Sequence, residues 1–164
     1  MKQSSTIFLQ VVIVLIGIVT LAVMIRFPLT EGRATNLDLF SIYSDPLILY
    51  AYAASIPFFI ALYKAFKLLG YIGQNKAFSL HSLRALRSIK SCAIVLSILI
   101  VMAGLYIRIF HNKDDDPAGF IAMCIVTTLV SLVVATAAAV FEKILQNGMD
   151  IISENEQLYE QSKK

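Results

Sequence analysis

The chain has 164 residues, 58% of them hydrophobic, and its 14 Lys and Arg against 11 Asp and Glu leave a net charge of +3. Soluble domains hold about 45–50% apolar residues, and a mean hydropathy of +0.75 belongs with integral membrane proteins. Four spans consume about half the length and leave no room for a soluble domain of ordinary size, while two Cys and two His at different depths exclude a shared metal site.

Four uncharged stretches carry this reading. There are 23 residues between Lys2 and Arg26, 18 between Asp45 and Lys64, 17 between Lys90 and Arg108, and 25 between Asp116 and Glu142. A hydrocarbon core about 30 Å thick needs roughly 20 helical residues. The predicted spans are 7–25, 47–63, 92–109 and 120–141. The first is too long for a signal peptide and lacks a small-residue cleavage site, so a retained span is expected.

Span one contains a single strongly polar side chain, Gln10, which reads either as an interfacial group bonded to a neighbouring helix or as the lining of a path. The loop that follows predicts a short helix over 37–43, lying on the membrane. It ends in Ser44-Asp45-Pro46, an N-cap and first-turn proline that start span two. Pro57 inside span two removes a backbone hydrogen bond and predicts a bend.

Segment 64–91 is the richest in polar chemistry. Span two is expected to run on to Ile72, and Gly73-Gln74-Asn75-Lys76 reads as a turn. Ser79 is the predicted cap of a helix that carries His81, Arg84, Arg87 and Lys90 beside Leu80, Leu83, Leu86 and Ile89, and continues into span three. A basic, amphipathic surface of this kind either rests on anionic lipid headgroups or docks a partner. Lys76, Arg84, Arg87 and Lys90 are the candidate residues for either.

Span three ends at Ile107-Arg108, and Asp114, Asp115 and Asp116 then lead to Pro117. Calcium loops alternate their ligands. Three adjacent carboxylates instead fit solvated side chains, with Asp116 capping span four. Span four carries a stripe of small residues, Cys124, Thr128, Ser131, Ala135, Ala138 and Ala139, at spacings that share one helix face. Such stripes let membrane helices approach closely. Gly17, Thr20, Ala54, Ala61, Ser97 and Gly104 are candidates to face it, so that Gly17, Gly104, Thr128, Ser131 and Ala135 read as packing residues. A compact bundle or a homo-oligomer uses such a surface equally well. The segment from Glu142 onward predicts a helical extension, with Gly148 as its candidate interruption and an acidic end carrying Glu154, Glu156 and Glu160. Cys92 and Cys124 are expected as free thiols separated by much of the bilayer, beyond the reach of a disulfide.

Two hairpins look faintly alike. Ile25-Arg26 answers Ile107-Arg108, and Asp45-Pro46 answers Asp116-Pro117. Duplication and convergent capping both account for it.

Charge sets the expected orientation. Lys2, Lys64, Lys67, Lys76, Arg84, Arg87, Lys90, Lys143, Lys163 and Lys164 fall on one side, against Arg26, Arg33, Arg108 and Lys113 on the other. Basic loops stay inside. Both termini and the 64–90 segment are therefore expected in the cytoplasm, with the protein in the bacterial inner membrane. The fold class is all-α, an integral membrane antiparallel four-helix bundle with cytoplasmic helical extensions.

The stretch Phe59-Ile60-Ala61-Leu62-Tyr63-Lys64-Ala65-Phe66-Lys67-Leu68-Leu69, with Ala77-Phe78-Ser79, Leu83-Arg84, Ile89-Lys90, Phe141-Glu142-Lys143-Ile144-Leu145 and Glu154-Asn155, resembles the bacterial domain-of-unknown-function family 2975. The resemblance covers nearly the whole chain, and Ala77-Phe78-Ser79 is its most specific part. Its acidic tail departs from the family's usual ending at Glu156-Gln157-Leu158-Tyr159. The resemblance implies four spans, no known enzyme activity and no known ligand. It also implies, by gene association alone, a small helix-turn-helix regulator as a soluble partner.

No nucleophile–base pair, metal-ligand set or phosphate loop stands out, so no cofactor and no enzyme activity are expected. An interaction or regulatory protein, bound to membrane lipid and without direct nucleic-acid contact, is the first reading. The alternative is an oligomeric transporter or channel subunit for a small or hydrophobic solute. The two separate on whether Gln10, Thr128 and Ser131 line one wet cavity.

Overall fold

The computed structural model describes residues 3–30, 46–74, 76–110 and 118–163. The helix expected over 37–43, the Asp45 cap and the aspartates 114–116 lie outside the described residues. Four helices account for almost all of the rest: α1 (Gln3–Thr30), α2 (Pro46–Gly73), α3 (Leu80–Phe110) and α4 (Ala118–Ser162). Each is long and apolar enough to cross a membrane.

The valines and isoleucines of α1 are mediocre helix formers in water. In hydrocarbon no water exists to satisfy a backbone N–H or C=O, so the chain closes its own hydrogen bonds as helix. The side chains show which solvent they suit. Phe8, Ile18 and Val23 of α1, and Met123, Val126 and Val133 of α4, are each more than half exposed. An apolar surface this continuous belongs against lipid.

Each helix packs antiparallel on the next one in sequence, and contact between non-consecutive helices is slight among the described residues. Gln10 meets Phe66 across α1 and α2, Tyr50 meets Leu99 across α2 and α3, and Ser131 meets Ala93 across α3 and α4. The four therefore form an antiparallel all-α membrane bundle laid out in chain order. The best-buried apolar cluster lies at the end shared by Lys64, Arg87 and Lys143. There Leu86 and Ile89 of α3 meet Ala138 and Leu145 of α4 and Ala65 and Leu68 of α2.

The small stripe of α4 packs on α3. Ser131, Ala135 and Ala138 are buried, and Ser131 Oγ donates to the carbonyl of Ala93 at 2.8 Å. The same carbonyl accepts from Ser97 Oγ at 3.0 Å. A Cβ placed on Gly104 would lie 3.6 Å from Cys124 Cβ, an ordinary contact, so backbone proximity rather than a glycine-only fit holds this crossing. Gly17 lies against Leu62 of α2 and not against the stripe. Cys92 and Cys124 are both free.

The joint between α2 and α3 follows its sequence. The Lys76 amide bonds to the Tyr71 carbonyl at 2.9 Å, a six-to-one closure of the kind that ends helices. Ser79 Oγ then accepts from the Ser82 amide at 3.3 Å and caps α3. The fully buried Ser82 donates its hydroxyl to the Lys76 carbonyl at 3.2 Å and clamps the turn.

Two expectations are refined. α2 continues as one helix through Pro57. Gly148 does not interrupt the last helix, because α4 runs unbroken to Ser162. The glycine serves packing instead: the Phe78 ring sits against the position where a Cβ would stand. At about 1.5 Å per residue, the 45 residues of α4 reach about 67 Å, roughly twice the hydrocarbon thickness.

Candidate functional site

The polar chemistry gathers at the end of the bundle where α1 begins, α2 ends, α3 begins and α4 leaves the membrane. Its centre is Glu142, whose side chain is 9% exposed. It sits one residue beyond the uncharged run of span four, on the face of α4 that packs on α3. A carboxylate so placed needs partners. Arg87 Nε donates to Glu142 Oε1 at 3.0 Å. Lys90 Nζ donates to the other oxygen, Oε2. The spacing of three puts both cations on one side of α3, and the antiparallel packing brings that side to Glu142. The hydrogen bond from Lys90, with that from Arg87 behind it, holds the Glu142 carboxyl below the usual carboxylate range.

The cluster is two cations on one anion, so it carries net positive charge. Arg87 remains 59% exposed and Lys90 32%. Arg84, one turn nearer the start of α3, is exposed, as are His81 and Lys76. The His81 ring lies 6.0 Å from that of Tyr71, joining the start of α3 to the end of α2. Lys67 stands 4.9 Å above the ring of Tyr63. Lys143 is exposed beside Glu142 on the next position of α4.

The four basic residues singled out in the sequence therefore divide. Arg87 and Lys90 hold α4 to α3 through Glu142, and Arg84 and Lys76 face outward. Glu142 itself was missed, since its role is visible only across two helices. Its sequence signal is a lone acid at the basic end of an apolar span, level with basic residues three apart on the preceding helix.

The polar residues that a solute path would use bond to backbone carbonyls. Gln10 donates to the Phe66 carbonyl between α1 and α2 at 3.4 Å. Ser131 is buried between α3 and α4, and Thr128 bonds to the Cys124 carbonyl of its own helix at 2.7 Å. Among the described residues no cluster of three His, Cys, Asp or Glu could hold a metal ion.

Fold and site thus define a small four-helix membrane protein with its charged chemistry concentrated at one end. Comparison with known proteins gives the family. The model of the family described as "Protein of unknown function (DUF2975)" matches residues 5–157, and the chain belongs to that family. It is also 43% identical over 159 residues to the uncharacterized membrane protein YoaS of Bacillus subtilis (strain 168), covering 95% of this chain and 98% of the relative. No solved structure matches the chain.

Proposed function

We propose that this is a non-enzymatic interaction protein of the bacterial inner membrane whose basic end, facing the cytoplasm, docks a soluble partner. The observation that carries this reading is the division within the basic cluster. Glu142 anchors Arg87 and Lys90 and so fixes the start of α3 against α4, while Arg84 and Lys76 are exposed on the resulting platform. A platform over the best-packed part of the molecule presents its charges in a fixed pattern, which specific docking requires and loose attraction to headgroups does not. The positive-inside bias supports the cytoplasmic assignment. Family association supports a small helix-turn-helix regulator as the partner, with the protein holding it at the membrane. Lipid phosphate is the natural second contact of Arg87 and Lys64.

The alternative, a subunit of a transporter or channel, draws less support. Gln10 bonds to a carbonyl of α2, Ser131 to a carbonyl of α3 and Thr128 to a carbonyl of its own helix, so the polar groups the alternative needs are engaged by backbone. The test is chemical cross-linking in native membranes followed by mass spectrometry, comparing the natural chain with a Lys76→Glu, Arg84→Glu variant. That pair leaves the Glu142 anchor intact.

A further inference from the structure

The hairpin of α2 and α3 gathers polar side chains on one flank. From Pro46 to Lys113 the chain contains no Asp or Glu. On α2, Ala65 and Leu68 pack into the core, while Phe66, Gly70 and Gly73 meet α1. Lys64, Lys67 and Tyr71, at spacings of three and four, share the side that remains. On α3, Leu86 and Ile89 enter the core, and Arg87 and Lys90 reach Glu142 of α4. His81, Arg84 and Ser88, again at spacings of three and four, lie on the side away from Lys90. The Tyr71 and His81 rings are 6.0 Å apart, which puts the two sets on one flank. The helices run antiparallel, so each step back along α2 matches a step forward along α3. Lys67 is therefore level with Arg84, and Lys64 with Ser88.

Depth and charge determine what covers this flank. The 18 uncharged residues before Lys64 span about 27 Å as helix, so Lys64 falls at the edge of a hydrocarbon core about 30 Å thick. Lys67 stands about 4.5 Å farther along the helix, within a headgroup layer about 5–7 Å deep on each side. Lys64 is half-buried and Lys67 exposed, and neither has a carboxylate partner among the described residues. Lys67 stands over the ring of Tyr63 instead, at 4.9 Å. Glu142, the acid at this depth, is already held by Arg87 and Lys90. A half-buried ammonium group needs a counter-charge, and the headgroup layer supplies phosphate. We propose that this flank binds the headgroup of one anionic phospholipid, with its phosphodiester between Lys64 and Ser88 and with Lys67 and Arg84 around the rest of the headgroup. The Lys64 ammonium attracts the phosphate as a point charge, and the Ser88 hydroxyl donates to one of its oxygens. A zwitterionic lipid brings an ammonium of its own, which meets cations here and no carboxylate, so the flank selects against it. The site rests on the lipid contact of the reading above, and it stands whether or not Arg84 and Lys76 dock a protein.

The test uses full-length protein purified in a neutral detergent, with phosphatidylglycerol or phosphatidylethanolamine added and the retained lipid read by native mass spectrometry. Phosphatidylglycerol is expected to bind about tenfold more tightly than phosphatidylethanolamine, as a site with unpaired cations near the membrane surface requires. Lys64→Gln with Lys67→Gln is expected to remove the preference, and Lys67→Gln alone, at an exposed position, to weaken it. Lys64→Arg with Lys67→Arg is expected to keep it, as is Lys143→Gln, which removes a cation of the same end from α4. Melting of each lipid-free variant reads whether it is folded. Phosphatidylglycerol is expected to raise the melting temperature of the natural chain, and inorganic phosphate at the same concentration to leave it unchanged. Equal retention of the two lipids, a preference untouched by Lys67→Gln and by the double glutamine variant, an equal loss with Lys143→Gln, or equal protection by inorganic phosphate would each overturn the proposal.

Discussion

Arg87 of α3 and Glu142 of α4 meet at 3.0 Å across 55 positions of chain, at the point where the bundle leaves the membrane. With Lys90 on the other oxygen, this contact joins a helix rich in cations to one that is uncharged for 25 residues before it. It sets the depth at which α4 sits against α3, and with it the height of the exposed basic residues.

The ion cluster has a pH signature. Glu142 titrates below the ordinary carboxylate range when folded. Its contribution is therefore fully present above the unfolded carboxylate value of about 4.3. It is lost as pH falls through the lower folded value. Thermal unfolding in detergent is expected to show Glu142→Gln less stable than the natural chain at neutral pH, by about 1–3 kcal/mol for a lost charge-assisted bond. The gap should begin to narrow below about pH 4.3 and close only below the lower folded value. A gap that persists unchanged in acid would remove the carboxylate from the account.

Ser131 is buried where α4 touches α3, and its hydroxyl shares the Ala93 carbonyl with Ser97. Ser131→Leu overfills the crossing and is expected to cost about 1–3 kcal/mol, seen as a lower melting temperature. Thr136→Leu, at an exposed position of the same helix, should leave melting nearly unchanged. Equal effects at both positions would mean that the stripe does not pack on α3.

Gly148 sets two terms against each other. Alanine gains about 1 kcal/mol of helix propensity, but its Cβ meets the Phe78 ring, which must then leave its seat. Gly148→Ala is expected to stabilise a Phe78→Ala background and to gain less, or lose, in the natural one. A double-mutant cycle reads the coupling directly, and additive effects would separate the two residues.

Thr6 is 4% exposed, and its hydroxyl has no hydrogen-bond partner. A buried polar group left unpaired costs about 1–3 kcal/mol. Thr6→Val keeps the shape and removes the group, so a raised melting temperature is expected. A fall would reveal a partner for the hydroxyl in the membrane.

Much of the architecture was legible because hydrocarbon imposes it. An uncharged run of 17–25 residues has few options other than a spanning helix. The Ser79 cap and the small stripe of α4 were legible for the same reason, since each is a local pattern with one physical use. The site was legible only in part. Arg84, Arg87 and Lys90 look alike along one helix face, and what separates them is Glu142, supplied by another helix. Gly148 misled because glycine in a helix costs propensity, and nothing local shows that Phe78, 70 positions earlier, occupies the space it leaves. Gln10 shows the same limit: its reading as an interfacial group bonded to a neighbour or a path lining was open until Phe66 was placed beside it.

The central claim is that the exposed basic residues dock a soluble partner, and cross-linking in native membranes tests it most directly. The account predicts a soluble protein captured on the natural chain and lost with Lys76→Glu and Arg84→Glu, while the melting temperature stays the same. Capture that is unchanged by these substitutions, or recovery of the chain with only copies of itself, would contradict it.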